Sequence, residues 1–370
     1  MRFRLILFVL LFGSVLASVP CSRAAEAPDD DFSFDDTPLS EVIVHPDWFK
    51  ESFLDLQDDL QEAVDDGKVG IIVYFGQQRC PYCKKLMDVG FSQPDIVEYI
   101  KRHFDVIAID IWSPEEVTLP DGRTMSQRDY ALALNTNFTP SLVFYDRDGR
   151  IALRLRGYYP PYQLRAALEY VADGHYLKER FPDYLARGDE TLHFEPGDLI
   201  EEPFFDKPPY NLDRSKYPAD MPLVVFFEQG DCHACDVLHT EPLRRDVVLK
   251  ALEPFQAVQL DMWADTPLVT PQGEATTARE WARKLGLFYA PTLIFFDEHG
   301  REIIRIDSVV QFVRLRNVLN YVASKGYLEE PNFLRWTART RKLLLDGASP
   351  EQDEAAEGSA TDAQSQKRER

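Results

Sequence analysis

The sequence has little basic charge, few cysteines and no long apolar run beyond its N-terminus. Its 370 residues carry 41 Lys and Arg against 62 Asp and Glu, a formal net charge of -21. Because phosphate binding needs clustered Lys and Arg, this balance argues against a nucleic-acid partner. A membrane-spanning helix needs about 20 apolar residues, and no internal stretch approaches that length. We therefore expect no membrane span in the mature protein, which is long enough for two or three separate cores.

The N-terminus has the layout of a secretory signal peptide. Two arginines precede an apolar run from Leu5 to Leu16, and several small residues follow it. Residues 1–27 are therefore predicted to be a signal peptide, cleaved between Ala17 and Ala27, that directs the protein to the periplasm. An uncleaved anchor and a lipid anchor at Cys21 are the alternatives, and Val19-Pro20 makes a poor lipidation box for the second.

Acidic residues crowd the segment that follows. Residues 28–44 form an acidic leader with clusters at Asp29 to Asp31 and at Asp35 to Asp36. These clusters lack the glycine and the spaced oxygen ligands of a calcium loop. We predict a solvated segment without a function of its own.

The cysteines are paired by spacing. Of the five, Cys21 would leave with the signal peptide if cleavage falls at Ala24, Ala25 or Ala27, and the others form two CxxC motifs, Cys80-Pro81-Tyr82-Cys83 and Cys232-His233-Ala234-Cys235. A pair three residues apart closes too short a loop to stabilise the chain strongly. One thiol of such a pair can attack a disulfide while the other resolves the mixed disulfide. Thiol–disulfide exchange is therefore the predicted chemistry, and disulfides persist outside the cytoplasm.

The two motifs lie in two copies of one repeated unit. An offset of 152 aligns the two cysteine pairs, and from Asp110 onward an offset of 151 aligns Trp112 with Trp263 and Pro140 with Pro291. An internal repeat of this kind predicts two similar domains. The predicted organisation is domain 1 at 45–177, a linker at 178–217, domain 2 at 218–346 and a disordered tail at 347–370.

Each unit shows the same order of predicted elements. Short apolar runs and turn signals indicate a buried strand, a helix that begins at the first cysteine, a second strand, a short helix, a β-hairpin and a closing helix. These are Val69–Phe75, Phe104–Ile109, Arg128–Leu134, Ser141–Tyr145 with Ile151–Leu155 and Leu164–Ala172 in unit one, and Leu223–Phe227, Phe255–Leu260, Arg279–Leu285, Thr292–Phe296 with Glu302–Ile306 and Leu315–Ala323 in unit two. An amphipathic helix through Phe49, Phe53, Leu56, Leu60 and Val64 is predicted ahead of unit one.

This order resembles the thioredoxin fold, an α/β fold with a central mixed sheet flanked by helices. Thr139-Pro140 and Ala290-Pro291 each open a strand some 56 to 60 positions after the cysteines, and in thioredoxin-like proteins that proline is cis and faces the cysteines. The insert with Asp121-Gly122 in unit one and its counterpart in unit two further resemble periplasmic thioredoxins of the sulfur-oxidation type, the SoxW-like proteins. The resemblance implies two tandem thioredoxin-fold domains that reduce or exchange periplasmic disulfides, and it suggests an inner-membrane thiol donor of electrons. The sequence leaves open whether the protein reduces, oxidises or isomerises disulfides, because the direction depends on the potential and on the electron donor or acceptor.

The cysteines receive separate roles. Cys80 and Cys232 are the predicted nucleophiles, because the positive end of a helix dipole and free N–H groups favour a thiolate at a helix start. Cys83 and Cys235 lie one turn deeper and are predicted to resolve the mixed disulfide.

The prolines mark the predicted substrate-binding positions. Because proline donates no hydrogen bond, the residue before it can offer its free backbone groups to an extended substrate strand. We therefore predict that Thr139 with Pro140, and Ala290 with Pro291, bind the substrate. The alternative is that both prolines only fix a turn.

Residues beside the cysteines are predicted to tune them differently. Arg79 should stabilise the Cys80 thiolate, whereas Asp231 should oppose that of Cys232, with His233 partly offsetting Asp231 when protonated. Surface charges contribute only ~0.3 to 1 kcal/mol, so the difference in potential is roughly 20 mV or less. We expect the second site to be the more reducing one and to pass electrons to the first.

Other functions stay open at this point. Four thiolates could bind zinc, but zinc sites usually space their pairs by about 15 to 20 residues, and these pairs are a whole domain apart. No cofactor or metal is therefore predicted. A redox-inert or chaperone-like module that binds proteins is the other alternative. Trp112 and Trp263 are predicted to cap the core, with a place in the cysteine groove as the less favoured interpretation.

Overall fold

The computed structural model describes residues 31–188 and 196–347. The predicted signal peptide with Cys21, and the predicted tail beyond residue 347, lie outside the described residues. Among the described residues, no helix is both long and apolar enough to cross a membrane.

The first domain is a four-stranded mixed sheet flanked by helices. Its elements are α1 (Leu56–Asp65), β1 (Gly70–Gly76), α2 (Pro81–Lys85), α3 (Pro94–His103), β2 (Phe104–Asp110), β3 (Glu116–Thr118), β4 (Thr124–Ser126), α4 (Gln127–Ala133), β5 (Ser141–Asp146), β6 (Ile151–Arg156) and α5 (Pro161–Ala172). The strand order is β2-β1-β5-β6. Strand β2 is parallel to β1, while β1, β5 and β6 pair antiparallel.

Strand β1 is buried along its whole length because helices cover both faces of the sheet. Alternate residues of a strand point to opposite faces. Ile71, Val73 and Phe75 pack with residues of α1 and α4, whereas Ile72 and Tyr74 pack with residues of α2, α3 and α5. Strand β1 ends at Gly76, directly before the loop that carries the first CxxC motif.

The second domain repeats this architecture after a linker. The linker contains α6 (Phe181–Gly188) and β7 (Tyr210–Asn211). The domain comprises β8 (Leu223–Glu228), α7 (His233–Thr240), α8 (Asp246–Leu252), β9 (Gln256–Asp261), β10 (Pro267–Val269), β11 (Ala275–Thr277), α9 (Ala278–Leu285), β12 (Thr292–Phe296), β13 (Glu302–Ile306) and α10 (Phe312–Ala323), followed by α11 (Gly326–Glu329) and α12 (Phe333–Gly347). The sheet order is β13-β12-β8-β9. The prediction of two α/β domains, each with a mixed sheet flanked by helices, is confirmed.

The first helix is shorter than its apolar spacing predicted. Helix α1 begins at Leu56, because the Asp55 side chain caps it by accepting from two backbone N–H groups. Leu54 has a positive φ of 63°, which is incompatible with a right-handed helix at this residue. Phe53 is consequently fully exposed, and Phe49 packs in an aromatic group with Tyr74 instead of on a helix face.

Two features of each unit were not predicted from the sequence. The CxxC helix is followed by a separate helix, α3 or α8, before the second strand. The polar insert, for which no secondary structure was predicted, forms the hairpin β3–β4 in the first domain and β10–β11 in the second, where β7 of the linker pairs with β10 as a third strand.

The two domains pack against each other through equivalent residues of the repeat. The amide of Val309 donates to the carbonyl of its counterpart Tyr158 at 3.1 Å. Gly157 lies so close to its counterpart Ser308 that a Cβ atom on Gly157 would be 2.0 Å from the Ser308 Oγ. When equivalent residues meet across an interface, the two partners are related by an approximate two-fold axis. The domains therefore face each other with their closing helices α5 and α10 starting at the interface.

Candidate active sites

Each CxxC motif lies where a central strand ends and a helix begins. Cys80 is the N-cap of α2, and Cys232 is the N-cap of α7. The amide of Cys83 donates to the Cys80 Sγ at 3.0 Å, and the amide of Cys235 donates to the Cys232 Sγ at 3.1 Å. Backbone N–H groups and the positive end of a helix dipole favour a thiolate at that sulfur.

Both pairs are disulfide-bonded and enclosed. The Cα atoms are 5.2 Å apart in each pair. Cys80 is 3% exposed and Cys83 0%, while Cys232 is 9% exposed and Cys235 3%. In each pair the first cysteine is the more accessible sulfur, but neither is open to a protein substrate in this arrangement.

The residues before Pro140 and Pro291 face the first cysteine of each pair. The Thr139–Pro140 and Ala290–Pro291 peptide bonds are cis. The Cys80 Sγ is 3.6 Å from the Thr139 carbonyl oxygen and 3.3 Å from the Thr139 Oγ1. The Cys232 Sγ is 3.6 Å from the Ala290 carbonyl oxygen. The structure thus brings each cysteine pair together with the proline that the sequence paired with it.

A chain of hydrogen bonds ties the first site to Trp112. The indole Nε1 of Trp112 donates to the Gln77 Oε1, and the Gln77 Nε2 donates to the Thr139 Oγ1, both at 2.9 Å. Trp112 is therefore part of the site and not the core cap that was predicted. Gln77 was missed as a site residue, although its recurrence as Gln229 in the second unit was a signal.

The second site keeps only part of this chain. Trp263 Nε1 donates to the Gln229 Oε1 at 2.8 Å. The chain cannot continue to the cysteine, because Ala290 stands where the first domain has a threonine and offers no hydroxyl.

The cavity beside Cys80 is lined by both domains. Its volume is about 320 Å³, and its lining includes Phe138 and Thr139 from the first domain. Val313 and Arg314, from the start of helix α10 in the second domain, form part of the opposite wall.

The cavity beside Cys232 mirrors this arrangement. Its volume is about 230 Å³, and Phe288 and Ala290 of the second domain line it together with Tyr162 and Gln163 of helix α5 in the first domain. Under the repeat offset of 151, Tyr162 and Gln163 correspond to Val313 and Arg314. Each site is therefore completed by the same part of the other domain.

The family of the chain follows from a sequence match in both halves. A model described as the thioredoxin-like domain matches residues 56–172 and again residues 217–323. The chain belongs to the thioredoxin-like family. No curated protein sequence matches it significantly. Two thioredoxin-like domains, each with a CxxC pair at disulfide distance, support a thiol oxidoreductase in general terms.

Several solved structures are similar to parts of this thioredoxin-like chain. A thioredoxin-fold protein from Helicobacter pylori is 26% identical, with 33% of this chain and 80% of that chain covered and a TM-score of 0.30. A thioredoxin from Thermus thermophilus is 24% identical, with coverages of 31% and 81% and a TM-score of 0.26. A disulphide isomerase from Xylella fastidiosa is 16% identical, with coverages of 37% and 98% and a TM-score of 0.23.

Arg314 is a buried cation in the first thioredoxin-like site that the sequence did not reveal. It is 8% exposed, and its Nη2 donates to the Thr139 carbonyl oxygen at 2.9 Å. Its Nη1 donates to the Val309 carbonyl oxygen at 3.3 Å, and its guanidinium carbon lies 3.3 Å from the centre of the Tyr82 ring. Burial lowers the pKa of Arg314, an effect that Tyr82 and Asp36 only partly offset.

The acidic leader also reaches this site, contrary to the prediction of a solvated segment. Asp36 is 5% exposed, and its carboxylate accepts from the Tyr82 hydroxyl at 2.9 Å. The same carboxylate accepts from the backbone amides of Val313 and Arg314 at 2.8 Å each. Burial raises the pKa of Tyr82 well above its ordinary value. Asp35, by contrast, is exposed as predicted.

The leader connects the two sites. The Phe32 ring packs edge-on against the His233 ring with 5.4 Å between centroids, and Phe32 also lines the cavity beside Cys232. Two residues later, the Phe34 ring packs edge-on against the Tyr82 ring with 4.9 Å between centroids. The leader segment Phe32–Asp36 therefore runs from one CxxC motif to the other.

The predicted tuning residues lie at the surface. Arg79, Asp231 and His233 are all exposed, and Asp231 has a positive φ of 48°. Arg79 borders the cavity beside Cys80, and its carbonyl accepts from the Leu39 amide at 3.2 Å. Exposed charges are screened by water, so their effect on the thiols is small.

A buried histidine follows the second motif on helix α7. His239 is 0% exposed, and its Nε2 lies 3.1 Å from the Glu228 carboxylate while its Nδ1 lies 3.2 Å from the Glu202 carboxylate. Burial works to lower the pKa of His239, but hydrogen bonds and charges from the two glutamates outweigh it and raise the pKa. His239 is four residues after Cys235, on the same face of the helix.

Proposed function

We propose that the protein is an extracytoplasmic thiol–disulfide oxidoreductase that reduces or exchanges disulfides in periplasmic proteins through two CxxC sites. The observation that carries this proposal is the repeated geometry of cysteine, helix start and facing proline. In both domains the first sulfur accepts an amide hydrogen bond from the second cysteine, and it lies 3.6 Å from the carbonyl of the residue before the proline.

The geometry supports a two-step exchange in each domain. In the reduced protein, the thiolate of Cys80 or Cys232 attacks a substrate disulfide and forms a mixed disulfide, releasing one substrate thiolate. Cys83 then attacks the Cys80 sulfur of the mixed disulfide, and Cys235 attacks the Cys232 sulfur in the same way. This step forms the internal disulfide and releases the second substrate thiol. The second cysteine is held three residues away on the same helix turn, so this step needs no large motion.

We also propose that Thr139 and Ala290 bind the substrate, and at the first site this requires a movement of helix α10. An extended substrate strand would bond to the backbone of Thr139 or Ala290. Because Arg314 already bonds to the Thr139 carbonyl, a substrate of the first site must displace the start of helix α10. The SoxW-like direction, with electrons from an inner-membrane thiol donor, is proposed from the resemblance alone.

Trapping of mixed disulfides tests the proposed function. Full-length Cys83→Ser and Cys235→Ser variants keep the attacking thiol but lack the resolving thiol, so each should accumulate mixed disulfides with periplasmic proteins. The matched controls are Cys80→Ser/Cys83→Ser and Cys232→Ser/Cys235→Ser, which should trap nothing at the altered site. In vitro, the wild type should accelerate insulin reduction by dithiothreitol. A variant in which all four motif cysteines are replaced by serine should show only the uncatalysed rate.

The same experiment separates the binding-module alternative. A chaperone-like protein would bind its partners equally well without the four cysteines, and its thiols would not exchange with a disulfide substrate. Normal partner binding by the cysteine-free variant, together with unreactive wild-type thiols, would rule out the proposed function.

A further inference from the structure

The two closing helices place different residues at equivalent points of the two sites. Gln163 of α5 lies at the cavity beside Cys232, and Arg314 of α10 lies at the cavity beside Cys80. These two residues are counterparts in the repeat. The two cavities are therefore built alike, but the residue from the other domain is neutral beside Cys232 and positively charged beside Cys80.

The guanidinium of Arg314 is buried without a carboxylate partner among residues 31–188 and 196–347. Asp36, an acid that acts on Arg314 through its charge, directs its oxygens to the Tyr82 hydroxyl and to backbone amides. The guanidinium itself donates to two neutral carbonyl oxygens. Asp36 and Tyr82 offset the burial of this cation only in part, so an anion formed nearby would stabilise it further.

Reduction of the first disulfide forms such an anion in the same cavity. A dithiol donor gives two electrons and two protons: the Cys80–Cys83 bond breaks, the donor forms its own disulfide, Cys83 takes one proton and the other goes to solvent. Cys80 is left as a thiolate. Its sulfur and the Arg314 Nη2 lie 3.6 Å and 2.9 Å from one shared acceptor, the Thr139 carbonyl oxygen.

We propose that Arg314, a residue of the second domain, is a positioning residue of the first active site that stabilises the Cys80 thiolate and makes this pair the more oxidising of the two. The inference rests on the proposed thiol–disulfide function. An opposite charge in an enclosed site favours the ionised thiol, and a stabilised reduced form raises the reduction potential. At the second site the counterpart Gln163 is neutral and gives no such stabilisation.

The test is the redox equilibrium of the first pair in the full-length protein. In a Cys232→Ser/Cys235→Ser background, the pair is equilibrated with reduced and oxidised dithiothreitol, and its reduced fraction is measured by alkylation and mass. Arg314→Gln, which installs the residue found at the equivalent position, should lower the equilibrium constant for reduction about tenfold or more, or about 30 mV in potential. Arg314→Lys should retain most of the wild-type value.

Arg316→Gln is the matched control. It removes the same charge two residues further along α10, where the side chain bonds to Asn317 and does not line the cavity. Its equilibrium constant should equal that of the wild type. Equal shifts in Arg314→Gln and Arg316→Gln, or no shift in Arg314→Gln, would overturn the role of Arg314.

A second measurement decides the matter if Arg314→Gln fails to fold. In the protein that keeps Cys80 as its sole cysteine of the two motifs, thiolate absorbance at 240 nm reports the pKa of Cys80. The other titratable groups near the thiol and Arg314 are Asp36, Arg79, Tyr82, Tyr159 and Arg341, and all stay in place. The reference is the protein that keeps only Cys232, whose sulfur has the same helix start and amide donor but whose cavity holds Gln163 in place of the arginine. We expect the pKa of Cys80 to lie clearly below that of Cys232, and an equal or higher pKa for Cys80 would contradict the proposal.

The two proposals fail in different ways. A wild-type pair that exchanges neither with dithiothreitol nor with a protein disulfide would refute the proposed function. A pair that exchanges normally, with an equilibrium constant insensitive to Arg314, would refute only the role of Arg314.

Discussion

At the scale of single residues, His239 links the second domain to the pH of its surroundings. The imidazole is enclosed between Glu228 and Glu202, and Glu202 lies 3.5 Å from the Arg244 guanidinium as well. The raised pKa of His239 means that the folded state binds its proton more tightly than the unfolded chain does. Folding stability therefore depends on whether this proton is present.

The sign of that dependence gives a prediction. The stabilisation by His239 is fully present below the unfolded pKa of about 6.5 and is lost as pH rises through the raised folded pKa. The free energy of unfolding of the oxidised protein should therefore decrease as pH rises from about 6.5 through the raised pKa of His239. The decrease should be up to about 1.4 kcal/mol for each unit by which the pKa is raised. Urea unfolding at a series of pH values measures it.

The control for this prediction is another histidine of the same domain. His299 is exposed, so His299→Gln should leave the pH dependence unchanged. His239→Gln should flatten it. If the slope survives in His239→Gln, a group other than His239 is responsible.

Site residues inside one repeat were predictable, and residues brought together by the domain interface were not. The four cysteines follow from the CxxC spacing, and Thr139 and Ala290 follow from the resemblance to thioredoxin-like proteins. Arg314 is 175 residues from Thr139 and belongs to the other domain. Sequence reasoning therefore chose Arg79, the neighbour of Cys80 in the chain, and missed the buried cation.

At the scale of elements, the leader stabilises the start of α10. The first amides of a helix have no partner within the helix. Asp36 accepts two of them, and its negative charge lies at the positive end of the helix dipole. The acidic composition of the leader correctly predicted exposure for Asp35 but not for Asp36, because composition does not distinguish a solvated carboxylate from one that caps a distant helix.

Asp36→Ala should therefore destabilise the protein. The variant loses a helix cap and leaves the buried Tyr82 hydroxyl and two amides without their acceptor, at an expected cost of about 2–4 kcal/mol. Urea unfolding measures this loss. The exposed neighbour offers a control, since Asp35→Ala should change stability by no more than about 0.5 kcal/mol. Similar losses of stability in both variants would show that the hydrogen bonds of Asp36 do not stabilise the protein more than an exposed aspartate does.

At the scale of the whole molecule, the repeat predicted two domains but not their arrangement. Each domain is specified by local patterns such as apolar strands, turns and the CxxC spacing. The interface depends on features that no local pattern reveals, such as the missing side chain of Gly157 beside Ser308. The arrangement encloses the sulfurs of Cys80 and Cys232 and places residues of the other domain at each cavity.

Opening this interface should expose the cysteines. Gly157 has a φ of +110°, and a Cβ atom there would meet the Ser308 Oγ at 2.0 Å, so Gly157→Ala should force the domains apart at this point. Alkylation of the reduced protein by iodoacetamide, read separately for Cys80 and Cys232 by mass, should be faster in the variant than in the wild type.

Gly174 provides the matched control for backbone strain. Its φ of +70° is also unfavourable for alanine, but nothing lies within 4 Å of a Cβ atom there. Gly174→Ala should therefore lose roughly 1 kcal/mol of stability without faster alkylation. Equal alkylation rates in the two variants would mean that access to the sulfurs does not depend on the domain interface, and that substrates reach them by another route.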